Sequence, residues 1–292
     1  MNNLFIENWF LILIVSGMFS GLSSLYQKIS LKDKQIDPIT FCIYFQLLVG
    51  LLSIPTAFSQ PIKIDLNCFS FLTISLMGIV YAAASYLYFY TLKKLEMSEF
   101  NILISSSLLL LVFGAYFFLG EKITSLKLIG VCLIILGISL IYIKKTGFSR
   151  LGKEHALVIL CALISTVASI LDKININYFS SAPLYMIFSY FLPAFILIML
   201  NPIKSVKQLL NIQFFKLSLI LSIVFNFLSS VLFFKVLQIG SQISLVSPIH
   251  HISIVFSVFF GIVFLKESSG WQKKIAGSII IFIGAFFLKS SI

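Results

Sequence analysis

The chain alternates long apolar runs with short polar gaps. Ten such runs lie at 9–26, 38–58, 69–91, 98–119, 124–143, 155–174, 182–200, 214–236, 242–265 and 271–289. Each is close to the roughly 20 residues a helix needs to cross a hydrocarbon layer, so the pattern predicts ten membrane-spanning helices, numbered spans 1 to 10 here. The gaps read as turns. Pro38, Pro61, Pro183 and Pro202 flank runs, where a missing N–H is tolerated, and Glu121, Lys122, Lys144, Lys145, Lys266 and Glu267 mark water at tight connections. The longest polar stretch, Lys144 to Glu154, suffices for a linker only. The fold class predicted is an all-α integral membrane protein.

Composition agrees. Of 292 residues 59% are hydrophobic and 11% charged, with mean hydropathy +1.07. A soluble domain carries about 25% charged residues, so these figures exclude a cytosolic enzyme, a disordered chain and a secreted disulfide scaffold. The net charge of +11 is spread over the gaps rather than gathered on one face, which argues for topology and against a nucleic-acid partner. The gaps after spans 1, 3, 5, 7 and 9, together with the first turn of the span that follows each, hold 15 of the 21 basic residues. By the positive-inside bias those gaps face the cytoplasm and both termini lie outside. A C-terminal reporter that works only in the cytoplasm should therefore stay dark. Met1 to Trp9 carries Glu7 and no basic residue, so no cleavable signal is expected before span 1. Cys42, Cys68, Cys132 and Cys161 have no metal-ligand spacing and read as small apolar residues; no cofactor or metal is expected.

Shifting the chain by about 145 positions superposes its halves. Gln27-Lys28 meets Asp172-Lys173, Pro38 meets Pro183, and Leu92 meets Leu237. Later the offset drifts: Glu121 meets Glu267 at 146, and Gly130 and Gly137 meet Gly277 and Gly284 at 147. Residues 1–146 and 147–292 are thus read as two copies of one unit. Five spans is an odd number, so the copies enter the membrane in opposite senses, as two inverted five-helix repeats. Such repeats place a substrate site near the midplane and allow alternating access to its two sides.

Together with the "LGEK" turn at 119–122, the "LKES" turn at 265–268, and the runs "LIGVCLIILGISLIY" and "KIAGSIIIFIGAFFL" that follow them, this pattern resembles the EamA-type branch of the drug/metabolite transporter superfamily. The resemblance covers nearly the whole chain. It implies a multi-pass carrier of the bacterial inner membrane for small metabolites, amino acids or drugs. Ser105, Ser106 and Ser107 stand where that family often has a proline in span 4, which puts the expected kink there in doubt. The small multidrug relatives in the superfamily use a glutamate in mid-span 1, and none is present here.

In lipid, polar side chains turn to the bundle interior or to a wet cavity. Ser16, Ser20, Ser23 and Gln27 share a stripe of span 1, as Ser165, Ser169 and Asp172 do in span 6; Ser20 matches Ser165 and Ser24 matches Ser169. Close helix packing, for which Gly17 and Gly21 are suited, and cavity lining both fit the serines. Tyr81, Ser85 and Tyr88 form a face of span 3, and Asn226, Ser229, Ser230 and Phe233 lie together on span 8. Span 9 holds Ser247, Pro248, His250 and His251, with Asn101 and Ser105 at the same level in span 4. Adjacent histidines diverge by about 100°, which argues against a shared metal ion. Lys28 and Lys173 either snorkel to headgroups or reach inward to an anion, with Asp172 balancing the charge. Glu121 and Glu267 either cap the helix that follows or pair with lysine.

The reading is an alternating-access transporter for a small metabolite, an amino acid or related polar or amphipathic compound, acting as facilitator, exchanger or exporter. Its cavity is expected between spans 1, 3, 4, 6, 8 and 9, with spans 5 and 10 as the seam between halves. Its partners are a small-molecule substrate and the bilayer, and both monomer and homodimer stay open. Alternatives are a lipid or polyprenyl-carrier flippase of the same fold and an intramembrane lipid-modifying enzyme; for the latter no HExxH motif, paired-aspartate motif or nucleophile with a base is present.

Overall fold

A computed structural model describes residues 2–32, 36–142, 152–200, 216–265 and 270–291. They contain ten helices long and apolar enough to span a membrane. These are span 1 (Asn8–Leu31), span 2 (Pro38–Phe58), span 3 (Cys68–Lys94), span 4 (Glu99–Leu119), span 5 (Ser125–Tyr142), span 6 (Lys153–Tyr178), span 7 (Ala182–Leu200), span 8 (Leu217–Gln238), span 9 (Ile243–Val263) and span 10 (Trp271–Lys289). Pro202, Lys144, Lys145, Lys266 and Glu267 lie outside the described residues.

The boundaries follow local chemistry. Pro38 opens span 2 at a position whose N–H would have no helical partner, and Asn67 with Ser70 forms a capping box at the start of span 3. Gly120, with φ of 68°, ends span 4 in the left-handed conformation that costs glycine least. Spans 4 and 9 are each two helices, Met97–Ile104 with Ser106–Leu119 and Ile243–His250 with Ser253–Leu265. The interruptions at Ser105 and at His251 stand 146 positions apart. Pro248 accounts for the second. In the first, Ser105 Oγ donates to the Ile102 carbonyl at 2.6 Å, so a serine marks the break where the family's proline is missing.

Packing follows the repeat but exchanges the first helix of each half. Span 1 lies along spans 8 and 9, and span 6 along spans 3 and 4; spans 2 and 7 pair, as do spans 5 and 10. Contacts recur at the 145 shift. Ser16 Oγ donates to Ser229 O at 2.8 Å where Cys161 Sγ donates to Ala84 O at 3.5 Å. Ser30 bonds Ser218 at 2.8 Å where Thr73 bonds Asn175 at 2.6 Å. Two units, spans 1, 8, 9 and spans 6, 3, 4, thus face each other across the pseudo-two-fold axis, with spans 5 and 10 joining them on one side and spans 2 and 7 on the other.

Candidate functional site

Between the two units lies a cavity of about 300 Å³ lined by spans 1, 2, 3, 6, 7 and 8. Its lining is paired by the repeat: Ser20 with Ser165, Ser24 with Ser169, Tyr81 with Asn226, Phe45 with Tyr190, and Phe89 with Phe234 are each 145 apart, and both members of every pair face it. A site built from matched positions of two inverted copies sits on the axis relating them. Ser85 also lines it, while Ser230 stands just behind, bonded to Tyr190 Oη at 2.8 Å. Asn226 Nδ2 donates to the same phenol at 2.8 Å. Among the described residues no charged side chain lines the cavity.

One end is closed. Asp172, 2% exposed, accepts hydrogen bonds from Tyr81 Oη at 2.5 Å and from Tyr185 Oη, so spans 3, 6 and 7 are tied together at the face where even-numbered spans exit. Tyr185 is completely buried between Phe179 and Phe234. Beyond it the connections after spans 2 and 6 pair as extended chain: Asp65 N donates to Tyr178 O at 2.9 Å and Ser180 N to Lys63 O at 3.0 Å. Asp172 therefore takes the two tyrosines and not Lys173.

The serine stripe of span 1 divides. Ser20 and Ser24 face the cavity, whereas Ser16 and Ser23 donate to Ser229 O and Ser222 O of span 8 at 2.8 and 2.7 Å. Gly17 and Gly21 lie on the opposing flank: a Cβ on Gly21 would stand 2.6 Å from Ser253 O, so span 9 packs directly on span 1. That contact explains a correction. Among the described residues spans 4 and 9 line no part of the cavity, because spans 6 and 1 stand between, and spans 2 and 7 take their place. Ser247 and His251 are half-buried in the span 9 bend, and His250 Nε2 lies 3.1 Å from Ser229 Oγ with its ring against Phe233. Asn101 and Ser105 are buried in span 4.

Lys28 and Lys173 occupy matched places of a third kind. Lys28 Nζ donates to Leu92 O and, at 2.9 Å, to Leu95 O, ending span 3; Lys173 Nζ donates to Leu237 O at 3.2 Å, ending span 8. Neither headgroup snorkelling nor a reach into the cavity describes them. The last carbonyls of a helix have no partner within it and carry its negative dipole end, so an ammonium settles there.

Glu121 lies near the Lys127 ammonium, as the lysine reading expected, but the helix it caps is not the one that follows it. Its carboxylate accepts from Ile243 N at 2.8 Å, Ser244 N at 3.1 Å and Ser244 Oγ, so it caps the start of span 9 in the other half and not the helix that follows it. Lys127, 1% exposed, donates to Ser244 Oγ and Gln242 Oε1, both at 2.8 Å. Glu121→Ala should cost roughly 3 kcal/mol, because it strands two backbone donors beside a buried ammonium. Detergent-denaturation midpoints measure this, with Lys122→Ala, a change at the exposed neighbouring position, as the control.

Gln46, Ser189 and Tyr190 are cavity residues that sequence reasoning missed. The signal was present for Gln46, a lone amide well inside an apolar run. Tyr190 is hidden by ambiguity, since tyrosine in a span also serves as an interfacial anchor.

Ten spanning helices in two inverted five-helix repeats, closed around an axial cavity, define a multi-pass membrane protein of transporter architecture. The model of the EamA-like transporter family matches twice, over residues 7–143 and 152–290, and the chain belongs to that family. It is thereby a membrane transporter of the drug/metabolite transporter superfamily. A solved crystal structure, one of 29 solved chains that match, superposes with TM-score 0.73 at 15% identity over 96% of each chain, a likeness of fold alone. No curated protein matches the sequence.

Proposed function

We propose that the chain carries a small polar or amphipathic metabolite, of amino-acid size, across the bacterial inner membrane by alternating access. The observation that carries this reading is the cavity whose walls pair at the 145 shift. Closure at the even-exit face through Asp172 defines one state. Rocking the unit of spans 1, 8 and 9 against that of spans 6, 3 and 4 would give its mirror, with closure at the other face. Matched walls keep the site chemically similar in both states, as a carrier requires. A volume of about 300 Å³ suits a metabolite and not a polyprenyl tail, and a lining without formal charge disfavours sugar phosphates. Facilitated flux or exchange follows from that lining, since no carboxylate among the described residues faces the substrate. Saturable uptake or efflux of amino acids or amines by proteoliposomes supports the proposal; strictly linear, unsaturable flux of every amino acid, amine and nucleoside tried would overturn it.

A further inference from the structure

A second cavity, of about 540 Å³, opens at the face where even-numbered spans exit. Its walls are the end of span 4 at Gly120 and Glu121, the end of span 6 at Lys173 and Asn177, and the turn between spans 8 and 9 at Gly240 and Gln242. The first two belong to the unit of spans 6, 3 and 4 and the third to the unit of spans 1, 8 and 9, so this cavity straddles the boundary between them. The repeat shows what is unusual in it. Lys28 spends two N–H groups on main chain, at Leu92 O and Leu95 O, and the 145 shift carries these carbonyls to Leu237 and Gly240. Lys173 bonds the first alone, at 3.2 Å, because Gly240, with φ of 99°, turns the chain out of the path that Leu95 follows. Among the described residues this ammonium, which has three protons to donate, makes one hydrogen bond, and its other N–H groups are left to the cavity.

Gln242 supplies a second donor of fixed direction. Lys127 Nζ can only donate, and it bonds Gln242 Oε1 at 2.8 Å, so the amide cannot be turned round and Nε2 points away from Lys127 on an exposed side chain. The carboxylate in the wall is already satisfied: Glu121 accepts from Ile243 N, Ser244 N and Ser244 Oγ, and Lys127 donates to that same hydroxyl. Asn177, whose Nδ2 donates to Lys173 O at 3.1 Å, adds only a neutral oxygen. Two ammonium groups, Lys173 in the wall and Lys127 behind it, thus stand against one carboxylate. We propose that this cavity binds an oxyanion, a phosphate or carboxylate group held by Lys173 Nζ and Gln242 Nε2, and that the bound anion pins the even-exit face shut. The two donors belong to different units, so an anion shared between them favours the state in which they stand together. Binding stands by itself, while the pinning rests on the alternating-access reading above. A soluble phosphate ester and a phospholipid headgroup carry the same chemistry to this face.

sn-Glycerol 3-phosphate is the probe, titrated calorimetrically into the full chain in a maltoside detergent, which carries no phosphate. Saturable binding is expected, about tenfold weaker in Lys173→Met and in Gln242→Glu, the loss of one charge-assisted hydrogen bond. Lys122→Ala, which removes only a neighbouring exposed charge, should leave it unchanged. Gln242→Glu keeps an oxygen for Lys127 and stays decisive if Lys173→Met, which strips the partner from Leu237 O, folds poorly. Repeating the titration in nanodiscs of phosphatidylglycerol separates the sources: competition by the lipid identifies a headgroup as the occupant, and undiminished binding identifies a solute. In vesicles, the probe added at the even-exit face should slow labelling of Ser85→Cys from that face about threefold, in a chain otherwise free of cysteine. No saturable binding in detergent, or equal binding by the unmodified chain and both variants, overturns the site; labelling that the bound probe does not slow overturns the pinning. Failure of the transport reading would leave the calorimetric result standing, since binding needs no flux.

Discussion

Asp172→Leu should abolish saturable flux and open the cavity to the face where even-numbered spans exit. Two phenols, from spans 3 and 7, end on this one carboxylate, and Tyr81 is at the same time a wall of the cavity. Removing the acceptor leaves both hydroxyls buried without it, a cost of about 1–3 kcal/mol for each. Span 7 then loses its bond to span 6, and span 3 keeps only its contacts with span 6 away from the carboxylate, the Thr73–Asn175 pair and the weak Cys161–Ala84 bond. A carrier that cannot hold one closed state loses the alternation between states that makes flux saturable. Asp172→Asn should retain part of the function, since its amide oxygen still accepts from one tyrosine while its nitrogen, which cannot accept, makes the other turn its proton elsewhere. The measurement is labelling of Ser85→Cys, in a chain otherwise free of cysteine, by a membrane-impermeant thiol reagent added from either side. Labelling from the even-exit face should rise at least tenfold in Asp172→Leu and less in Asp172→Asn. Unchanged labelling with intact flux would show that this contact is not the closure.

The spans and the repeat were legible in the sequence because lipid imposes a simple rule on every helix: length, apolarity and polar punctuation at the ends. The offset of 145 carried further than expected. It pairs Ser20 with Ser165 and Tyr81 with Asn226, and these stand opposite each other in the cavity. Less legible was which helices lie next to one another. The polar residues of span 9 drew attention as a substrate site, yet Gly21 brings span 9 onto the back of span 1, and His250 turns its Nε2 to Ser229. A helical face shows that a residue points inward; it does not show whether inward means a neighbour or a cavity. The same limit applies to Lys28 and Glu121. Their charges were visible, but their partners are main-chain groups at the ends of distant helices, Leu92 and Leu95 for one and Ile243 and Ser244 for the other. Main-chain partners leave no mark on side-chain patterns.

Gly277→Val, at the buried crossing of spans 5 and 10, should cost more stability than a substitution at any lipid-exposed position of those two spans. A Cβ at Gly277 would lie 2.6 Å from Gly137 O and 2.6 Å from Ile141 Cγ1, and one at Gly137 would lie 2.7 Å from Gly277 O. Gly130 and Gly284 repeat the arrangement, with 2.8 and 2.7 Å to each other's carbonyl oxygens. Lipid tails are as apolar as leucine, so spans 5 and 10 are held by close backbone approach and not by a hydrophobic drive. Main chain cannot turn aside as a side chain can, which puts the expected loss at the upper end of overpacking, roughly 3 kcal/mol. Gly120→Ala is the contrast: nothing lies within 4 Å of its Cβ, and the cost is only that of a left-handed residue, about 1 kcal/mol. A double-mutant cycle makes the argument sharper. Gly137→Ala and Gly277→Ala each force the helices apart at the same crossing, so once one has done so the second finds room. The pair should therefore cost markedly less than the sum of the two, with a coupling of at least about 0.5 kcal/mol, read from denaturation midpoints in a mild detergent. Strictly additive losses would mean that the two glycines act at separate contacts and that spans 5 and 10 do not share this seam.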